Sequence, residues 1–325
     1  MAKRSRAAAL IVALLAIAPA GASAQSDYPN RPVRMIAPAA PGGNPDVLAR
    51  LLSQKLTQTF GKAFVVENMA GAGGVVAAKM VAAAPPDGHV LMLGDSGSLA
   101  INYVLNPDLG YDPLKDFTPI TALVTLPTVL VVPPSLPANT LAEFIALAKS
   151  KPGQLAYGSA GPGSIHHLTM AIFAAQAGID LLHVPYRGGT ALVGALVKGE
   201  VQAGWSGIPN VLPLIEAGQL RVLCISTRER SPSVANVPTA IELGVKDFDY
   251  ATMMGLQTSA GAARELVGRL QGVVAQALRE PDLTERMAML GMDLRENGTA
   301  DYVKFMQDDI ARYRTAIATF KLQIN

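Results

Sequence analysis

VRMIAPAAPGGNPDVLARLLSQKL, residues 33–56, holds three units in series. Val33 to Ala37 is a short apolar run of strand length. Pro38 ends it, and Ala39-Ala40-Pro41-Gly42-Gly43 is a loop of small residues and turn formers. From about Pro45 to Thr59 the apolar positions Val47, Leu48, Leu51, Leu52 and Leu56 fall on one face of a helix. Asn44 stands where an N-cap belongs, and Pro45 where a first helical residue belongs. A strand that runs through a glycine-bearing loop into a helix is the repeating half of an α/β fold.

The same unit recurs along the chain. Ala63 to Val66 leads through Gly71-Ala72-Gly73-Gly74 into an alanine-rich helix, about Val75 to Ala84. Pro85-Pro86-Asp87-Gly88 is a turn, His89 to Leu93 a strand, and Gly94-Asp95-Ser96-Gly97-Ser98 opens a further helix. Val124 to Val132 reads as one strand, and Thr140 as the cap of a helix to Ser150. Leu155 to Tyr157 enters Gly158-Ser159-Ala160-Gly161-Pro162-Gly163-Ser164, with a helix from about Ile165 to Ala177. Asp180 to Val184 precedes Pro185-Tyr186-Arg187-Gly188-Gly189 and a helix to Lys198. Val201 to Trp205 and Leu220 to Ser226 complete a second set of strands. About Ala263 to Leu278 and Thr299 to Ile317 are helical, and this tail is expected to pack back on the first domain. The pattern predicts parallel sheets covered on both faces, and 325 residues accommodate two such units.

Composition narrows the function. The chain is 50% hydrophobic and 16% charged, too apolar for a disordered chain. Of its 27 Lys and Arg, three (Lys3, Arg4, Arg6) lie in the first six residues, leaving 24 against 25 acids. No basic stripe remains to track a phosphate backbone, so nucleic acid is not an expected partner. The single cysteine, Cys224, rules out an internal disulfide and any multi-cysteine metal site. His166, His167 and His183 lack metal-ligand spacing, so neither metal nor cofactor is expected. Residues 1–24 carry those three cations, an apolar run from Ala7 to Ala18, and Ala22-Ser23-Ala24 before Gln25, which describes a cleaved secretory signal peptide. Twelve apolar residues make about 18 Å of helix, short of a ~30 Å hydrocarbon core. The expected location is the periplasm.

An ordered series of motifs resembles the Bug family of periplasmic solute receptors of tripartite tricarboxylate transporters. It opens with Tyr28-Pro29-Asn30-Arg31-Pro32-Val33, Pro41-Gly42-Gly43 and Asp46. It continues through Val66-Glu67-Asn68, Gly71-Ala72-Gly73-Gly74, Pro86-Asp87-Gly88 and Tyr111-Asp112-Pro113 with Asp116-Phe117. Then come Tyr157, Ser159, Gly161, Gly163-Ser164 and His167-Leu168, followed by His183-Val184-Pro185-Tyr186-Arg187-Gly188. Gly218-Gln219-Leu220-Arg221 and Val237-Pro238-Thr239 follow, and the match extends from Tyr28 to roughly residue 305. The resemblance implies a type II periplasmic-binding fold: two lobes, each with a central sheet flanked by helices, and a ligand cleft between them. Residues 25–122 with 240–325 would form lobe 1, and 123–239 lobe 2 with the crossover segments. The resemblance further implies a small organic carboxylate as solute, with large and small membrane subunits of a permease as partners. A monomer is expected.

Helix N-termini expose unpaired N–H groups and partial positive charge, and so attract carboxylates. Ala39, Ala40, Pro41, Gly42 and Gly43 would present such donors from lobe 1. Ser159, Ala160, Gly161, Gly163 and Ser164 would present them from lobe 2, the two serine hydroxyls adding donors. Glycines in these loops also suit tight turns alone. Ser96 and Ser98 lie at a third strand-to-helix junction and either meet the solute or serve the turn. Thr190 either caps its helix or donates to the ligand. Asp46, in a first helical turn, is expected to brace the loop rather than touch an anion, and His167 to bond structurally at its helix start. Trp205 either fills the core or lines the cleft, with the cleft favoured.

Many members of the family have an aromatic residue where Ala39 stands and Asp where Ser206 follows Trp205. The departures predict a carboxylate without an α-amino group, a dicarboxylate or aromatic acid. Two rival readings are a solute sensor for a membrane signalling protein, such as a sensor kinase, and an exported serine hydrolase. For the latter, Gly94-Asp95-Ser96-Gly97-Ser98 lacks the second glycine of a nucleophile elbow, and no histidine follows His183. No catalytic residue is therefore assigned.

Overall fold

The computed structural model describes residues 28–295 and 298–322, and the expected signal peptide lies outside them. The chain begins with β1 (Val33–Ala37), α1 (Asn44–Phe60), β2 (Phe64–Asn68), α2 (Val75–Ala82), β3 (Val90–Asp95), α3 (Asn102–Leu105) and β4 (Phe117–Leu126). It continues with β5 (Thr128–Val132), α4 (Leu141–Ser150), β6 (Ala156–Ser159), α5 (Ile165–Ala177), β7 (Leu182–Pro185), α6 (Gly189–Lys198), β8 (Gly204–Gly207), α7 (Ile208–Glu216) and β9 (Arg221–Ile225). It closes with β10 (Thr252–Ser259), α8 (Arg264–Leu278), α9 (Pro281–Met289), β11 (Asp293–Leu294) and α10 (Thr299–Phe320).

The first sheet has the order β11-β4-β10-β3-β1-β2. In β1, Val33, Met35 and Ala37 enter one core cluster with α1 and α8 residues, while Ile36 enters another with α2 and α10 residues. Alternate side chains thus serve two cores, so the strand is apolar except at Arg34, which pairs with Glu67. The second sheet joins β8-β5-β9, and Tyr157 bridges Ala203 to add β6 and β7.

Neither sheet is wholly parallel, contrary to expectation. β10 lies antiparallel between β3 and β4, and β5 antiparallel between β8 and β9. The two-residue edge strand β11 is reversed as well, against β4; the other reversed strand of each sheet, β10 or β5, is the one that enters from the other lobe. It arrives at the cleft edge and has to run away from it, whereas the strands of βα units end at the cleft.

The expected single strand from Val124 to Val132 is two strands. Pro127 divides them, having no N–H for a ladder. The first passage between sheets is therefore Leu126-Pro127-Thr128, beyond the expected boundary at 122/123. The second lies between β9 and β10. Thr128 N–H and Oγ1 both bond Ser226 Oγ, at 3.1 and 2.9 Å, and Ser226 N–H returns to the Thr128 carbonyl at 2.9 Å. The two crossings are stitched side by side.

The tail also departs from expectation. Helices α8 and α9 cover the first sheet through Leu270, Val274, Leu283 and Met287. Along α10, Tyr302 and Met306 enter a first-lobe core, but Ile310, Tyr313 and Ala316 enter the second-lobe core. This amphipathic helix of 22 residues is a strut across both lobes.

Candidate functional site

The loops after β1, β6, β7 and β8 each lead into a helix, so α1, α5, α6 and α7 start at the cleft-side ends of their sheets. Crevices at the carboxyl ends of such strands are where α/β folds hold ligands.

In the first lobe, α1 starts one residue earlier than expected. Gly43 is the N-cap, and Asn44 is the first helical residue. Asp46 is 3% exposed and accepts from Gly42 N–H at 2.9 Å, Asn68 Nδ2 at 2.9 Å and Arg50 Nε. Asn68 also donates to the Ala39 carbonyl at 3.1 Å. The carboxylate therefore braces residues 39–43, as expected. Burial opposes its ionisation, but bonds from Arg50, Gly42 and Asn68 outweigh that and hold its pKa below the usual carboxyl range. Gly42 has φ +81°, a left-handed conformation that suits glycine.

In the second lobe, Ser164 is the N-cap of α5, accepting from His167 N–H. Its hydroxyl donates to the Gly161 carbonyl at 2.7 Å. Ser159 is completely buried, accepts from Gly161 N–H at 3.1 Å, and lies 2.7 Å from His183 Nε2. Gly163 N–H donates to His167 Nδ1 at 3.3 Å. Both serines thus shape the loop rather than offering free hydroxyls, a correction to the expected donor set. The N–H groups left by helix geometry are those of Asn44 and Asp46 in α1 and of Ile165 and His166 in α5.

The lobes approach closely. A Cβ added to Gly207, the N-cap of α7, would lie 2.9 Å from Asn44 Nδ2 at the start of α1. A Cβ on Gly163 would lie 3.6 Å from Asn102 Oδ1, whose amide donates to the Gly97 and Gly73 carbonyls at 2.8 and 3.1 Å. Asn210 Nδ2 lies within 3.6 Å of a Cβ on Gly189 and 3.8 Å of one on Gly207, between the starts of α6 and α7.

Several expected contacts fall elsewhere. Ser98 is completely buried, and its Oγ donates to Asp95 Oδ1 at 2.8 Å. Ser96 Oγ accepts from Met253 N–H at 3.3 Å and bonds Asp309 on α10. Both hydroxyls are engaged within lobe 1, just past the carboxyl end of β3. Trp205 is completely buried, stacked on Phe248 at 5.3 Å and edge-on to Phe173 at 6.0 Å, so it is core rather than cleft lining. Ser206, beside it, is also completely buried. Thr190 is exposed and is not a cap, because Gly188 holds that position. Ala39, Ala40, Pro41, Gly42, Gly43, Ala160 and Gly161 remain at least partly open to solvent, while Gly163 is buried.

The polar side chains nearest the lobe-to-lobe contacts are the amides Asn44, Asn102 and Asn210, which sequence reasoning missed as site residues. Asn44 drew notice only as a cap, and the other two sit inside helical patterns with nothing to distinguish them. Amides can donate and accept. With helix N-termini they can hold a carboxylate without a basic side chain. A separate concavity of about 410 Å3 lies at the far end of the first sheet, lined in part by Tyr28, Arg31, Asp87, His89 and Arg269. Its arginines are already engaged, Arg31 by Asp87 at 2.8 Å and Arg269 over the Phe60 ring at 5.1 Å.

Residues 48–322 match the family model described as the tripartite tricarboxylate transporter family receptor. Protein BugT of Bordetella pertussis is 34% identical over 312 residues, 95% of each chain. The structure of Rpa4515 from R. palustris with adipate gives a TM-score of 0.86 at 32% identity, covering 91% of this chain and 99% of that one. MatC from Rhodopseudomonas palustris with bound malate gives 0.83 at 32% identity, covering 89% of this chain and 100% of that one. The fold is that of the periplasmic binding proteins.

Proposed function

The chain belongs to the tripartite tricarboxylate transporter receptor family, and on that premise we propose that it captures a small dicarboxylate between its lobes and delivers it, unchanged, to the membrane subunits of a tripartite transporter. The observation that carries this reading is the convergence of helix N-termini from both lobes, with Asn44 of α1 set against Gly207 of α7. Each terminus offers N–H groups and a favourable dipole to one carboxylate, so two such ends suit a diacid. Adipate and malate in the related receptors are both diacids. Small side chains at Ala39, Ala40 and Gly42 leave room beside the first loop. Export into the periplasm, with loss of residues 1–24, fits the N-terminal sequence and the family's location. Closure follows from the ligand's greater affinity for the closed form.

The test is a thermal-shift screen of the protein from Gln25 onward against mono-, di-, tri- and aromatic carboxylates and amino acids. At 100 times its dissociation constant a ligand adds about 2.7 kcal/mol, enough to raise the midpoint by several degrees. A selective rise with diacids is expected. A larger rise with aspartate or glutamate, or none with any carboxylate, overturns the reading.

A further inference from the structure

Two imidazoles that bond the second-lobe loop also stack on each other behind it. His183, on β7 in register with Tyr157, and His167, in the first turn of α5, stack with centroids 3.8 Å apart and planes 13° from parallel. Tyr157 stacks on His183 at 4.9 Å. Each ring holds one end of the glycine-rich loop: His183 Nε2 meets Ser159 Oγ, and His167 Nδ1 meets Gly163 N–H.

We propose that this stacked pair is the positioning element of the second lobe's solute loop, two neutral imidazoles that each accept one hydrogen bond and so hold residues 159–163 in binding shape. The proposal rests on the solute-receptor reading for its purpose, though not for its geometry.

The hydrogen bonds assign the protons. An amide can only donate, so His167 Nδ1 is an acceptor and its proton is on Nε2. Ser159 Oγ lies 2.7 Å from His183 Nε2 and 3.2 Å from the Gly161 carbonyl, which also takes the Ser164 hydroxyl at 2.7 Å; the shorter contact assigns the Ser159 proton to His183 Nε2. That places the His183 proton on Nδ1. Protonating His167 sets an Nδ1–H donor against the Gly163 N–H, and protonating His183 reverses its bond to Ser159, whose proton then turns to the Gly161 carbonyl at 3.2 Å. Protonating both sets two cations 3.8 Å apart. The groups that face the pair are Tyr157 and Ser159 of β6, with His166 adjacent on α5. Among the described residues no carboxylate is ion-paired with His167 or His183. Burial, with His183 beside it, pushes His167 down to about 4, burial alone pushes His166 to about 4, and burial lowers His183. Both rings of the pair are then neutral at neutral pH.

Nuclear magnetic resonance on the ligand-free protein reads the arrangement directly. The expected result is an Nε2–H tautomer for His167, an Nδ1–H tautomer for His183, and Gly161 and Gly163 amides that move together when the rings titrate below pH 6.5. Amides that stay still through that titration overturn the proposal. Calorimetry with adipate and malate supplies the second readout. His167→Phe and His183→Phe keep a ring but no acceptor, and each weakens binding about tenfold, the cost of one buried hydrogen bond. His167→Asn and His183→Gln restore an acceptor near the same place and recover most of it. Equal loss in both kinds of variant, with folding intact, overturns the positioning role, as does wild-type binding that tightens on acidification. If neither diacid binds the parent protein, the dicarboxylate reading fails, while the tautomers and amide shifts still decide the role of the pair.

Discussion

Asp46→Ala removes the acceptor for Gly42 N–H, Asn68 Nδ2 and Arg50 in one step. Hydrogen bonds to a buried carboxylate are worth more than neutral ones, so the variant is expected to lose ~2–3 kcal/mol. Urea unfolding measures that loss, and an unchanged midpoint would show the loop is held by something else. Because the folded-state pKa of Asp46 lies below its ordinary value, its stabilisation is present above about pH 4 and fades as pH falls through the folded value. The role of Asp46 was legible in the sequence, since a carboxylate in a first helical turn beside an anion loop has one comfortable task. Ser96, Ser98, Ser159 and Ser164 were not so legible. A hydroxyl at a strand end can turn inward or outward at equal local cost, and only the neighbours Asp95, Met253, His183 and Gly161 decide.

At the scale of elements, β10 shows where pattern reading stops. Its residues Gln257, Thr258 and Ser259 are buried polar groups in a central strand, so neither alternation nor an apolar run announces it. Burial of the first two is compensated by bonds, Thr258 Oγ1 to the Val90 carbonyl at 2.9 Å and Tyr302 hydroxyl to Gln257 Oε1 at 3.1 Å. The βα units read well because each carries its own signature, as α5 and α6 do from Ile165 to Ala177 and from the Gly188-Gly189 turn to Lys198. The same strand explains one glycine. A Cβ on Gly255 would lie 2.3 Å from Tyr302 Cζ, where α10 crosses the sheet. Gly255→Ala therefore forces the strut off the strand, at an expected cost of about 1–3 kcal/mol. Calorimetric unfolding should show a midpoint several degrees lower, and a midpoint at the parent value would mean that α10 yields freely.

Across the whole molecule, α10 carries a buried carboxylate where it passes from one lobe to the other. Asp309 is 1% exposed, beside Ser96, Arg312 and Tyr313, and burial pushes its pKa up to about 6. A raised carboxyl favours the protonated native state between about pH 4 and 6, so its contribution to stability falls as pH rises through that window. Asp309→Asn is expected to be more stable than the parent at pH 7.5, by ~2 kcal/mol, with the gap closing toward pH 4. Urea midpoints at pH 7.5 and 4.5 test this, and a variant less stable at pH 7.5 would show that the ion pair with Arg312 dominates instead. That a helix bridges two cores was beyond the sequence, which shows an amphipathic stripe but not how many partners cover it.

The placement of β10 also sets a timetable for the nascent chain. Leu256 pairs with Leu93 and with Thr121, between strands synthesised long before it. Until residue 259 has left the ribosome, the first sheet has a gap at its centre, and β4 and β3 have no common neighbour. Pairing across such sequence distances is slow as well as late. On the proposed export of this chain, a polypeptide threaded across a membrane is thereby kept from locking prematurely, by its own strand order.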